Sequence, residues 1–330
     1  MNPALVLLLA LPQAPELLLP LRVAEALDEG RFVGTPAGFR IIALSHIADG
    51  CADRAAEDPD RAAACLRSAW RIAERTKPSG LDLDQASHGL WLTHWALIMG
   101  AADRVMPCPD ARLHARLAQA LAAAAARDPS GLGSSYPGTR ERWPADQSAT
   151  LAALARFDRA HHAATASVPY ARYRQAVEAH VDAETGLPYS ELSGHGSGKL
   201  PRGCALSYST RYLAELDPAG ARALWDRYKK RYLVDAGLLV GFREWPPGRD
   251  RAADVDSGPI VRGVGAAATA FAIGAARAMG DRALVARLEA TATIVGSAAK
   301  LDRGAARASE STLAEAIRFQ AGAQPELRAR

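Results

Sequence analysis

Two segments carry carboxylates where they could move protons. Ala253-Asp254-Val255-Asp256-Ser257-Gly258-Pro259 sets two acids at i and i+2, on one face of an extended backbone. Repulsion between them raises one apparent pKa, leaving one acid protonated near neutrality and able to donate. The same residues also read as a helix start, with Asp256 or Ser257 as N-cap and Pro259 in the first turn, or as a cation site. Trp143-Pro144-Ala145-Asp146-Gln147-Ser148 offers a third acid. Asp146 either caps a helix or sits in its first turn, where the macrodipole favours an anion, beside an aromatic wall. Acids on two loops facing each other across a cleft, ~6.5–9.5 Å apart, would suit an inverting glycosidase.

Glu244 lies in Phe242-Arg243-Glu244-Trp245-Pro246-Pro247-Gly248. It reads either as half of a buried ion pair with Arg243 or as a substrate-binding carboxylate beside Trp245. His88, Trp91 and Trp95 share a helical face. His88 stands nearest the helix start and Trp95 reads as core. Tyr136, Tyr189 and Tyr208 are further candidates for lining the same space, as are Glu191, His195 and Arg202. The run Ser193-Gly194-His195-Gly196-Ser197-Gly198-Lys199 reads as a lid. It does not meet the phosphate-loop pattern, although Lys199 or Arg202 could neutralise an anionic substrate. No nucleophile elbow supports Ser-His-Asp hydrolysis.

The elements that must position these residues read as helices throughout. Ala-rich stretches with Leu, Arg and Glu recur, and β-alternation is almost absent. Expected helices span 4–28, 37–56, 60–76, 84–102, 109–127, 145–162, 168–182, 204–215, 218–234, 259–279, 281–296 and 311–320. Short connections at Asp58-Pro59, 103–108, 163–167, Asp217-Pro218 and Gly280-Asp281 alternate with long ones at 29–36, 77–83, 128–144, 183–203 and 235–258. In antiparallel hairpins, alternation sends all long loops to one end. About six hairpins then close into an all-α, (α/α)6-like toroid. A linear solenoid would show a fixed repeat, and none is found. The chain divides into an N-terminal apolar helix at 1–30, a toroid at 31–300, and a C-terminal helix with a polar tail at 301–330. Function is expected at the long-loop end, where aromatics, carboxylates and glycines concentrate.

Trp143-Pro144-Ala145-Asp146, Pro201-Arg202-Gly203-Cys204, Arg243-Glu244-Trp245-Pro246 and Asp254-Val255-Asp256-Ser257-Gly258-Pro259 together resemble a group of uncharacterised bacterial α/α-toroid proteins, over roughly residues 84–281. Some of that group carry membrane segments ahead of the toroid. More distantly, the chain is similar to the linalool dehydratase/isomerase group and to toroid glycosidases, which share the architecture and pocket location. The cysteine-bearing motif of the dehydratase group is not matched, so none of its residues is carried over. Asp254-x-Asp256-Ser257 partly resembles the D-x-D-D acid of class II terpene cyclases, with Ser257 in place of the last Asp.

Composition narrows the function classes. Apolar residues make up 49% of the chain, enough for a sizeable core. The net charge of +4 comes from Arg interleaved with Asp and Glu, not from a basic stripe, so nucleic-acid binding is not expected. Cys51, Cys65, Cys108 and Cys204 form no C-x-x-C and no zinc spacing. They read as buried free thiols, and no metal or cofactor is expected. The apolar run Ala4–Leu11 is too short to span a bilayer and lacks a basic n-region. It reads as a core helix or as membrane contact through residues 3–21, giving a cytoplasmic or membrane-associated location. The expected activity is acid/base hydrolysis or elimination on a carbohydrate-like small molecule. The alternatives are a terpenoid-alcohol dehydratase, isomerase or cyclase, and a non-catalytic binding or membrane-accessory toroid.

Overall fold

The computed structural model describes residues 29–32, 35–83, 87–192, 200–299 and 312–323. The expected helix at 4–28, the lid with His195 and Lys199, and the start of the expected 84–102 helix lie outside them. Eleven α-helices are described: α1 (Ala37–Asp53), α2 (Pro59–Arg75), α3 (Gly89–Ala102), α4 (Ala111–Arg127), α5 (Pro144–His161), α6 (Ser167–Glu178), α7 (Gly203–Leu213), α8 (Pro218–Tyr232), α9 (Ala266–Ala278), α10 (Arg282–Ala299) and α11 (Thr312–Ala323).

Composition sorts them into two layers. Every residue of α3 from Leu90 to Ala102 is buried, as is α5 from Gln147 to Phe157. A helix buried on all sides belongs inside. In α2 the buried positions are Ala62, Cys65, Leu66, Ser68, Ala69, Ile72 and Ala73, and in α8 Ala221, Leu224, Trp225, Tyr228 and Tyr232. These are one-sided stripes that cover a core. The inner helices pack in the order α1–α3–α5–α7–α9–α11, and α11 returns to α1, so the ring closes. The other five helices lie outside it. The toroid is thus the observed fold. Its closing helix is α11, which the sequence reading had placed in a separate C-terminal segment.

The two ends of the ring start their helices differently. At the short-turn end, Asp58, Asp110 and Asp217 cap α2, α4 and α8 by accepting from Arg61 N, Leu113 N and Gly220 N at 2.9–3.1 Å. At the long-loop end, α3, α5, α7 and α9 have no side-chain cap. Loop carbonyls serve three of them. Gly89 and Leu90 N–H donate to Ser134 and Ser135 O, Gly203 N–H to Glu244 O, and Ala267 N–H to Ser257 O. The approach is close enough to demand glycine. A Cβ on Gly89 would lie 2.1 Å from Ser134 O, and one on Gly203 1.9 Å from Arg243 O.

Two features differ from expectation around the long loops. Pro259 does not start a helix. Ile260–Val261 (β3) and Val264–Gly265 (β4) pair antiparallel around Arg262 and Gly263, both at positive φ, and α9 begins at Ala266. A two-residue turn of this kind matches hairpin twist. The 235–258 loop also begins within a hairpin, Leu233–Asp235 (β1) with Val240–Phe242 (β2).

The short-turn end is closed by buried ion pairs. Arg156 on α5 grips Asp49 of α1 at 2.5 and 3.1 Å, and Arg211 on α7 reaches the same carboxylate at 2.5 Å. Arg156 and Arg159 also hold Glu215. Burial would raise the Asp49 pKa, but the two guanidiniums outweigh it and hold the carboxyl well below the usual range. Nearby, His46 of α1 donates to Gln320 of α11 at 2.5 Å, and Arg54 to Phe319 O at 2.8 Å. Cys51 and Cys65 form a disulfide between α1 and α2. Free thiols were expected there. A spacing of 14 residues signals nothing until the two helices are packed.

Candidate active site

Asp146 occupies the first turn of α5, behind Trp143 and Pro144. It is only partly exposed. Burial raises its pKa to about 6, and the Asp256 charge adds to the rise while a Ser135 hydroxyl bond opposes it. Tyr136 packs edge-on against Trp143 with centroids 5.7 Å apart. Its phenol is raised by burial and then by the charges of Asp146 and Asp256. These three groups therefore act on one another, although they come from the 128–144 loop, α5 and the 235–258 loop.

Arg202, just before α7, organises the remaining acids. Its Nε donates to Glu244 at 2.8 Å and its Nη2 to Asp254 at 2.8 Å, while Nη1 lies 3.9 Å from Asp256. Its guanidinium also stands 4.8 Å from the ring centroid of Trp245, a cation–π distance. Glu244 is fully buried and accepts from Cys204 N at 3.3 Å and Cys204 Sγ at 3.0 Å. Burial raises the Glu244 pKa against the pull of Cys204 and Arg202. The Cys204 thiol is pushed well above its ordinary value by burial and by Glu244, so it is no ready nucleophile.

The Asp254/Asp256 pair splits. Asp254 Oδ1 accepts from Asp256 N and Ser257 N. Burial would raise its pKa, but Arg202 and these N–H groups lower it overall. Asp256, whose side chain is 61% exposed, is raised by burial and by Asp254, against Arg202. Neither residue caps α9 with its side chain.

The remaining expected residues divide as follows. Arg243 does not pair with Glu244. It lies 3.7 Å from Asp250, and successive residues of extended chain point to opposite sides. His88 precedes α3 beside Ser87, at 3.3 Å. Trp91 is buried core, while Tyr189 packs on the α7–α9 core cluster. Glu191 is buried next to the Arg142–Leu192 bridge. Tyr208 is buried deeper in the ring, where the Asp146 charge still acts on it. Its hydroxyl lies 2.8 Å from His94 Nε2. Ser45 Oγ gives its proton to Ile42 O, so at 2.6 Å it accepts from His94 Nδ1–H. Tyr208 therefore donates to Nε2, and burial keeps His94 neutral. Sequence reading missed Ser135 and set His94 aside as pointing away from the His88, Trp91 and Trp95 face. Neither carries a local signal, because each is defined by a partner far along the chain.

Among the described residues, Asp103, Cys108 and His114 also converge, at the short-turn end, away from the acids above.

No family model matches the chain, and no curated protein matches it. Among solved structures, it is similar to a protein described as a novel alpha-amylase from Clostridium perfringens. The TM-score is 0.36 and the identity 10%, with 64% of this chain and 80% of that chain covered. A likeness at that level carries no argument about activity.

Proposed function

We propose that the chain is an acid/base enzyme that cleaves a carbon–oxygen bond in a carbohydrate-like substrate at the long-loop end. The observation that carries the reading is Asp146, a partly buried carboxyl with its pKa raised to about 6 and within the field of Asp256. A group half-protonated near working pH is suited to general acid catalysis. Asp146 gives its proton to the leaving oxygen as the bond to carbon breaks. Asp256, exposed, acts in its ionised form to take a proton from the attacking water, and the two carboxyls exchange protons with solvent to reset. The proposal moves the donated proton from the Asp254/Asp256 pair to Asp146, because Arg202 and two backbone N–H groups hold Asp254 ionised. Tyr136 and Trp143 supply apolar aromatic surface for a sugar ring.

The test is a panel of glycosides with good and poor leaving groups, assayed with wild type, Asp146→Asn and Asp256→Asn. Asp146→Asn should lose ~10²–10⁴-fold on poor leaving groups and far less on a nitrophenyl glycoside, whose leaving group needs no proton. Asp256→Asn should lose activity on both. A wild type inert on every glycoside, or an Asp146→Asn variant unimpaired on poor leaving groups, would refute the assignment.

A further inference from the structure

The short-turn end holds a second cluster, unrelated to the acids above. Asp103 directly follows α3, Cys108 lies in the next turn, His114 is in the first turns of α4, and His161 ends α5. The ligand atoms of Asp103, Cys108 and His114 lie within 4.8 Å of one another. Asp103 Oδ2 is 3.1 Å from His114 Nδ1 and 3.3 Å from His161 Nε2. Two imidazoles thus approach one carboxylate oxygen from different helices.

These approaches lack hydrogen-bond geometry. Asp103 Oδ2 and both ring nitrogens of His114 are buried without a hydrogen-bond partner, and His114 is 0% exposed. Buried polar atoms normally find partners, and leaving them unpaired is costly. A cation among them would take up the lone pairs of Asp103 and His114, which now face one another and His161 without good hydrogen-bond geometry. We propose that Asp103, Cys108, His114 and His161 bind one zinc(II) ion that ties the α3–α4 turn to the end of α5.

The donor set selects the ion. One sulfur, two imidazole nitrogens and one carboxylate oxygen make a four-coordinate set for zinc. Magnesium and calcium prefer all-oxygen shells, and thiolate disfavours them. On binding, Cys108 Sγ loses its proton to solvent and coordinates as thiolate. Metal bonds of ~2.0–2.3 Å require the side chains to close in, His161 the most, because it approaches Asp103 but lies outside the set of three whose ligand atoms fall within 4.8 Å of one another. Four protein ligands leave no open position, so the ion is structural. No two consecutive ligands make a zinc spacing in the sequence, because the set is gathered from three elements.

The test uses the full chain, stripped with chelator and titrated with cobalt(II). Folded wild type should take up one cobalt per chain and show the intense visible absorption of a tetrahedral site. A thiolate-to-cobalt charge-transfer band should accompany it, and zinc should displace both. Cys108→Ser should abolish the charge-transfer band. His161→Gln, at an exposed position that tolerates change, should weaken binding at least ~10-fold, the lower bound for losing even an outer-sphere partner. Circular dichroism checks that both variants fold. The proposal falls if folded wild type binds no stoichiometric metal. It also falls if the band survives Cys108→Ser, or if His161→Gln binds as wild type does.

Discussion

At the short-turn end, Asp49 and Glu215 share three guanidiniums, those of Arg156, Arg211 and Arg159. At the long-loop end, Glu244, Asp254 and Asp256 share one, Arg202, and among the described residues no guanidinium is paired with Asp146. The residue types are the same and the provision of positive charge is reversed. Carboxylates with ample cations are held ionised and fasten helices together. Those short of cations are pushed toward protonation, and Asp146 and Asp256 are moved that way. The difference teaches that a buried acid is a fastener or a proton carrier according to its neighbours, not its burial.

The largest effect should come from breaking the well-supplied end. Asp49→Ala leaves Arg156 and Arg211 buried without their shared partner, and should cost ~3–5 kcal/mol in denaturant unfolding. Asp146→Asn should cost less than ~1 kcal/mol in the same experiment. If the two costs were equal, the contrast between the ends would be lost.

A pH series separates the ends by sign. The folded-state pKa of Asp146 is raised to about 6, above the ~3.9 of an unfolded Asp. Its contribution is fully present below ~4 and is lost as pH rises toward 6. Asp49 and Glu215 are depressed, so their contribution is present above ~4 and is lost as pH falls through their folded values. Wild type should therefore lose melting temperature relative to Asp146→Asn between pH ~4 and ~6, and should lose it relative to Asp49→Ala only in strong acid. A flat wild-type-minus-Asp146→Asn difference would sink the assignment of a raised pKa to Asp146.

The smallest effect sharpens the proton-donor assignment. The Ser135 hydroxyl favours ionised Asp146, so Ser135→Ala should move the basic limb of the pH–rate profile upward by less than ~1 unit. A downward move would mean that the limb belongs to another group.

The ring was largely legible before any coordinates, because loop length and helix composition are local signals. Asp58-Pro59 and Asp217-Pro218 start α2 and α8 as expected, with Asp as cap and Pro in the first turn. Ends of α1 through α8 fall within a few residues of the spans read from composition. What was not legible depends on partners distant in sequence. Pro259 favours a helix start by itself, yet a hairpin intervenes because Glu244 N–H and Ala266 N–H bond to Gly263 O and Pro259 O. Arg202 reads in the sequence as a pocket residue for an anionic substrate, whereas three acids from another loop define its contacts. Cys51–Cys65 and the Asp103–His114 group exist only once helices have packed.

Closure through α11 has a consequence for how the chain is made. His46 on α1 is bonded to Gln320, 274 residues away, so the first described inner helix meets its last neighbour only after all that intervening chain has been made. Until then α1 and α9 each present an uncovered apolar flank at the gap. Contacts of such long sequence separation form slowly, and transiently bare flanks invite association with other chains. A nascent chain lacking residues after 299 would be an open horseshoe. Synthesis of α11, rather than any earlier step, completes the ring.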